Sequence, residues 1–495
     1  MLVTRRRFLS TFAAGSGMVV LAACSQSSPP SPTAAAAAPT AASAKPTTAA
    51  AQPTTAPAAK PTTAATAAAN PTAAATAATA ATPAAAPAAP VKGSGTFTYW
   101  GGLIFSDTAN NLEQKTIQDW GTKVGYSKVD AVMINQNETN QKVAAALQAG
   151  TMPDALDMGL DLLLQLGTGN KVVPLDDLYS KIGSEHGGWL KAIDQSTDPK
   201  LFGGHRYGIA FGTSGNILNY RKDILEAAGF KGAPPTWTDL IAWATKAQSP
   251  PKYWGIGFAL SNVGDGNEQV DWLHSWGGRI GNDAGTACTV SSAETTAYLQ
   301  TVTDAYKKNL YPTDVTTWDG AGDNNSYQSG KVIFIGNPGS VYLWMQTNDT
   351  NLASKTAYAA FPKGPKLQIN SQGPNVRAIP VGGKNIDQAK DLIDTLAGDA
   401  YNAKYFPAGI YGPVLQSQKK LNVWSDPIHA GLLDLAENGT GPAWPDVSNA
   451  AYAEFNNNFI IPKMIQRVVI DKWSLDKAIA EAQSAGQAIY KKYNK

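Results

Sequence analysis

The side chains able to do chemistry in this sequence point to binding rather than to catalysis. Aromatic and amide residues fall at the ends of predicted strands and in loops: Trp100-Gly101-Gly102, Asn135-Gln136-Asn137, Trp272 and Trp276 ahead of Gly277-Gly278, Asn337-Pro338-Gly339-Ser340, Tyr411-Gly412-Pro413 and Trp444-Pro445. An aromatic face packs on the C–H face of a pyranose ring, while Asn and Asp hydrogen-bond its hydroxyls. Any one of these tryptophans is more readily a core residue. Together, at loop positions, they suggest a sugar or another polar solute.

Catalytic patterns are missing. Gly212-Thr213-Ser214-Gly215-Asn216 lacks the last glycine of a nucleophile elbow, and the sequence has no G-x-G-x-x-G, P-loop or His-Glu-x-x-His. His186, His205, His274 and His429 share no metal-ligand spacing. Asp265-Gly266-Asn267-Glu268 starts like a calcium loop, but the remainder of that pattern is absent. No metal, no cofactor and no enzymatic activity are expected.

The elements that must hold these residues alternate between strand and helix. Strand-like runs at 95–100, 129–134, 154–158, 255–259, 332–335 and 378–381 are separated by helix formers at 138–149, 161–166, 237–247, 293–308, 387–397 and 475–491. A further helix-like stretch runs from the first strand to about Gly121. This order predicts an α/β fold with a mainly parallel sheet, and ligands bind such sheets beyond their strand ends. Four hundred residues exceed what one core usually serves, so two lobes are expected.

The first 95 residues are different. Residues 31–90 hold 31 Ala, 13 Thr and 10 Pro and no aromatic residue or acid, so they cannot form a packed core. Six of the 40 bases precede Thr96 and no acid does, which leaves 34 bases against 38 acids beyond it, a net of −4. The sequence pI of 8.2 therefore does not support a nucleic-acid partner. Residues 1–23 read as a signal peptide, with Arg5, Arg6 and Arg7 ahead of an apolar run. Thr4-Arg-Arg-Arg-Phe-Leu9 resembles a twin-arginine export signal, and Leu21-Ala-Ala-Cys24 resembles a bacterial lipobox, with Cys24 as the lipidated residue. Residues 24–95 then read as an Ala/Pro/Thr tether of at most roughly 220 Å at ~3.1 Å per residue. Cys288 is the lone cysteine of the remainder and reads as a small buried hydrophobe.

From about Gly95 to Tyr493 the chain resembles the extracellular solute-binding proteins of sugar ABC importers, the maltose-binding-protein-like group. The likeness is carried by Met152-Pro-Asp-Ala-Leu-Asp-Met158, Gly169-Asn-Lys-Val-Val-Pro-Leu-Asp-Asp177, Asn219-Tyr-Arg-Lys-Asp-Ile-Leu-Glu-Ala-Ala-Gly229 and Ala233-Pro-Pro-Thr-Trp-Thr-Asp-Leu240. Ser329-Gly-Lys-Val-Ile-Phe-Ile-Gly336, Phe361-Pro-Lys-Gly-Pro365 and Ile379-Pro-Val-Gly-Gly-Lys384 follow in order. The resemblance implies a two-lobe periplasmic-binding-protein-like fold over 96–495 whose hinge is crossed three times, near 211–215, 335–340 and 375–379. It places lobe 1 at about 96–212 and 337–375, and lobe 2 at about 213–336 and 376–495. It implies a monomer anchored by lipid on the extracytoplasmic face of the cell membrane, holding a carbohydrate for ABC permease subunits. Other polar solutes, such as a polyamine or a polyol phosphate, remain the alternative, with a surface polysaccharide-active enzyme or adhesin a more distant one.

The ligand-binding residues expected from residue types and from this resemblance are Trp100, Gly101, Asn137, Asp161, Thr213, Ser214, Asp265, Asn267, Trp272, Asn337, Trp344, Arg377, Tyr411 and Trp444. Asp161 falls where the family commonly places an acid on sugar hydroxyls. At Asn337–Ser340 the chain departs from the family's glycine-aromatic step, and Tyr342 or Trp344 is the substitute. Arg377 is either a hinge ion pair or a donor to an oxygen-rich or acidic ligand.

Overall fold

The computed structural model describes residues 92–494 apart from Phe105, Gln136 and Asn137. The export segment, Cys24, most of the tether and the expected site residue Asn137 lie outside the described residues. The strands are β1 (Thr96–Leu103), β2 (Lys128–Asn135), β3 (Ala155–Gly159), β4 (Ile209–Ser214), β5 (Ile217–Arg221), β6 (Trp254–Ile256), β7 (Val332–Asn337), β8 (Thr356–Ala359) and β9 (Gly373–Ala378). They form two sheets, ordered β2-β1-β3-β9-β4 and β6-β7-β5-β8. Each sheet has its own hydrophobic core. Phe97, Leu156, Ile209, Val376 and Leu392 belong to the first, and Leu218, Trp237, Phe334, Phe455 and Ile465 to the second. This is the two-lobe α/β fold of periplasmic binding proteins.

The sheets are not mainly parallel. β1 runs parallel to β2 and β3, and β6 to β7. β9 is antiparallel to β3 and β4, and β5 is antiparallel to β7 and β8. The strands that enter a lobe from the hinge, β5 and β9, run against those built by strand–helix–strand crossovers. The helix after β1 also outruns its expected end at Gly121, reaching Val124 and closing on Gly125 at φ 102°. Gly121 lies inside it because a β-carbon there would stand 2.1 Å from Val129, so this glycine lets helix and β2 approach.

The expected division of the chain between lobes is corrected at its second half. Of segment 337–375, the part through β8 belongs with the second sheet, since β8 pairs with β5, while Gly373–Asn375 already open β9 in the first. The helices Ile386–Ala397 and Asp399–Ala408 return to the first core through Leu392, Ile393 and Tyr405. The chain thus passes between lobes after β4, between β8 and β9, and between the helices Pro427–Asn438 and Ala450–Asn457. Residues 335–340 are no crossing. There Asn337 Oδ1 accepts the N–H groups of Gly339 and Val341 at 3.0 and 3.2 Å and turns the chain into the helix Ser340–Asn348. Residues 375–378 lie within the first sheet as β9.

The three passages touch in one seam. A β-carbon on Gly215 would stand 2.1 Å from the Ser371 carbonyl oxygen, so the first and second passages meet backbone to backbone. Ser371 pairs with Thr440 of the third passage, and the Gln372 N–H donates to Thr440 at 3.0 Å. Thr213 ties the same seam by donating to Gln372 Oε1 at 2.6 Å.

Behind the seam, β9 carries Arg377 into the first core at 1% exposure. Its guanidinium donates to Glu113 at 3.0 Å and to Tyr99 Oη at 3.2 Å, stands 3.5 Å from Asp157, and lies over the Phe211 ring. Two carboxyls therefore share one cation. Burial and the Asp157 charge push Glu113 up to about 8, against the pull of Arg377. Cys288 is buried as expected, and burial raises its thiol to about 11. Replacing Arg377 with Met strands the Asp157 charge in the core. Urea unfolding of Arg377→Met is expected to show a loss of about 3–5 kcal/mol, and a loss under ~1 kcal/mol would contradict this cluster's role.

Candidate ligand cleft

Between the lobes, carboxylates and amides from distant parts of the chain converge. From the first lobe comes Asp161, in the first turn of the helix Leu160–Thr168 that follows β3 directly. From the second come Asp265, in the turn Gly264–Asn267, and Glu268 and Asp271 on the helix Glu268–Ser275. The three-residue spacing of these acids sets them along one side of that turn and helix. Asp323, in the first turn of the helix Gly322–Gln328, stands beside them. Glu268 fits only because residue 336 is glycine: its carboxylate would touch a β-carbon there. Asn216, just past the first passage, donates to the same carboxylate.

Side chains bridge the lobes around this group. Asn456 donates to Asp161 at 3.3 Å, and Asn140 donates to Asn457 at 2.7 Å. On another side, the Tyr342 hydroxyl donates to Asp426 at 2.5 Å, joining the helix Ser340–Asn348 to the start of the helix Pro427–Asn438. A groove of about 670 Å³ opens between Ser106, Asp107 and Thr108 of the first lobe and Asn324, Gln328 and Trp344 of the second.

The carboxyls are enclosed by protein, yet Asp161, Asp265, Glu268 and Asp271 each keep part of their surface open. Burial pushes Asp161 up to about 6, Asp271 to about 7 and Asp323 to about 6. Burial, reinforced by the neighbouring acids, holds Asp265 and Glu268 well above the ordinary carboxylate range. Among the described residues, no three acidic, histidine or cysteine side chains are arranged to hold a metal ion.

The expected site residues divide. Asp161 and Asn267 both meet Asn456, whose carbonyl accepts from Asn267 Nδ2 at 3.2 Å, and Asp265 stands in the same turn as Asn267. Ser214 stands at the hinge and accepts from Asn375 at 3.0 Å. Trp344 lines the groove, and Trp100 is half-buried against the first core. Trp444 is 42% exposed on the third passage. Its loop is anchored by buried Asp446, which accepts from Arg279 at 2.6 Å and pairs with His274 at 2.9 Å.

The others are held by packing or by structural bonds, Asn337 donating also to Asn324 at 2.6 Å and Asp323 at 3.4 Å beside the cleft. Gly101 is buried because a side chain there would run into Met133. Thr213 and Asn337 are enclosed by the seam and turn bonds described above. Trp272 is 2% exposed and packs against Trp237 and Phe258, and Tyr411 is enclosed between Phe211 and Tyr405. Arg377 is the hinge-side ion pair. Glu268, Asp271, Asp323, Asn216 and Asn456 were missing from the expected set. The regular spacing of 265, 268 and 271 could have revealed the first two. Asn456 comes from a helix almost 300 residues after Asp161 and carries no local signal.

Residues 115–431 match the family model described as bacterial extracellular solute-binding protein. The chain belongs to this family of solute-binding proteins. A protein of Deinococcus radiodurans named as a probable ABC transporter-binding protein is 27% identical over 264 residues, 50% of this chain and 63% of that relative, under two thirds of its length. A binding protein of Brucella abortus is 24% identical over 71% of this chain and 83% of its own. Among solved structures, maltose-bound MalE3 of T. maritima superposes with a TM-score of 0.67 at 19% identity, covering 80% of this chain and all of that one. The GacH receptor of Streptomyces glaucescens, solved without ligand and with acarbose, gives 0.68 at 20% identity, covering 81% and 99%. These likenesses establish the solute-binding fold. No helix among the described residues is long and apolar enough to cross a membrane.

The raised carboxyls fix how this solute-binding protein responds to pH. Each holds its proton more tightly folded than unfolded, so its contribution is greatest at low pH and fades as pH rises through the folded value. Asp426 and Asp446, whose carboxyls are held low by their hydrogen-bond partners against the effect of burial, act only near and below the ordinary carboxylate range. Ligand-free protein is therefore expected to melt at least about 3 °C higher at pH 5 than at pH 8. Scanning calorimetry showing the reverse order would contradict the unpaired state of these acids.

Proposed function

We propose that the protein captures a sugar or oligosaccharide outside the cytoplasmic membrane by closing its lobes, and delivers it to the permease of an ABC importer. One observation carries the reading: in a solute-binding family, acids and amides from two separately cored lobes meet beside a seam of three chain passages. Contacts from both lobes exist together only when the cleft is shut. A solute that makes them binds the closed form more tightly and shifts the population toward it by that difference alone.

The names of the similar proteins favour this reading. The Deinococcus relative is named for ABC transport, and the superposed structures hold maltose and acarbose. A third, from Agrobacterium radiobacter, holds ribitol. The half-buried rings of Trp100 and Trp344 and the exposed ring of Trp444 supply apolar faces for a sugar, and Asp161 with the amides supplies partners for its hydroxyls. The leader adds the location: Cys24 becomes a lipid anchor, and the Ala/Pro/Thr tract lets the binding domain work at a distance from the membrane.

A panel of mono- and oligosaccharides tested by calorimetry and tryptophan fluorescence is expected to give saturable binding of at least one sugar, with no product formed. Asp161→Ala should weaken that binding at least tenfold. Silence across the whole panel, or wild-type affinity in the variant, would contradict the proposal. For the anchor, cells fed labelled palmitate should incorporate it into wild-type protein. Cys24→Ser should lose the label and leave the membrane fraction, and a labelled variant would contradict lipidation at Cys24.

A further inference from the structure

The cleft gathers carboxyls that meet amides and one another but, among the described residues, no cation. Asp161, Asp265, Glu268, Asp271 and Asp323 stand in or beside it, and none of the ion pairs among the described residues involves any of them. The charged groups that act on Asp265 are Asp323 and Asp319, and those acting on Glu268 are Asp265, Asp323 and Asp271, all acids. Elsewhere in the same protein buried carboxyls are matched, Asp446 by Arg279 and His274, Glu113 by Arg377. The cleft carboxyls differ from these in having no ion-pair partner among the described residues.

A second, independent observation points the same way. Asn456 is 8% exposed, its amide head lies against Asp161, and its Oδ1 has no donor. Asn267 Oδ1, in the turn that carries Asp265, is likewise without one. Asp161 and Glu268 each accept one amide bond, and the two amide oxygens and the remaining carboxyl oxygens of the group can still accept N–H or O–H donors. Without a solute that supplies them the carboxyls keep their protons well above the ordinary range; one that brings donors together with positive charge relieves both the missing donors and the missing countercharge. A neutral sugar relieves only the first.

We propose that the captured solute carries at least one protonated amine, held between Asp161 of the first lobe and Asp265, Glu268 and Asp271 of the second. This rests on the cleft being the solute site and narrows its ligand class from sugars in general to amine-bearing ones. The remaining amides and the tryptophan faces suit a hydroxyl-rich frame, so an aminated sugar or polyol fits better than a bare aliphatic polyamine.

The test is calorimetric titration of the full protein with matched probes: glucose and maltose, glucosamine and an aminated disaccharide, spermidine, and calcium chloride. An aminated probe is expected to bind at least tenfold more tightly than its neutral counterpart, with affinity falling as salt is raised. The double variant Asp265→Asn/Glu268→Gln should erase that preference while keeping or raising the melting temperature of the ligand-free protein, since it removes unpaired like charges. Neutral sugars binding as tightly as aminated ones would overturn the amine assignment and leave the sugar-binding reading standing. Spermidine binding with no aminated sugar would uphold the amine and overturn the sugar. Binding of calcium alone, or of no probe at all, would overturn both.

Discussion

Everything in this molecule that concerns a ligand depends on the seam where the chain passes between its two lobes. Gly215 lies against the Ser371 carbonyl so closely that no side chain fits between them, and Ser371 in turn pairs with Thr440. Thr213 and Gln372 add a buried side-chain bond at the same place. Each lobe has its own core, and these contacts join the two where the chain passes between them, with the Asn456–Asp161 and Asn140–Asn457 bonds bridging them elsewhere. Closure about such a seam brings whole surfaces together without repacking either core.

Charge is handled differently on the two sides of the seam. Behind it, one arginine is shared by Glu113 and Asp157 in a fully enclosed cluster, where a solvated ion pair is replaced by hydrogen bonds and an aromatic face. In front of it, the carboxyls have like-charged neighbours and no ion-pair partner among the described residues. The first arrangement suits a fixed frame and the second a site whose partner arrives from solution. The raised proton affinities on the cleft side follow from burial and that missing countercharge.

The sequence made the fold class legible because strands and helices alternate with clear periodicity and because the glycine and proline punctuation is strong. Sheet direction was not legible. β5 and β9 owe their antiparallel sense to where the chain enters each lobe, a tertiary matter with no local trace. For the same reason the lobe limits were misplaced after Asn337, where the amphipathic faces reveal burial without saying in which core. Residue type alone separated cleft from core poorly. Trp272 and Tyr411 are enclosed by other aromatic rings, whereas Asp161 and Asp265 keep open surface, and only the packing around them decides this. The lone Cys288 was read correctly because a buried thiol needs no partner.

The central claim is that a solute is held by closure of two lobes about the seam. Its most direct measurement is the distance between spin labels at Lys142→Cys in the first lobe and Lys463→Cys in the second, both exposed positions on helices. Pulsed dipolar spectroscopy is predicted to show a broad, longer distribution without solute and a single shorter distance once a bound solute is present. A distribution unchanged by a solute that demonstrably binds would contradict the account.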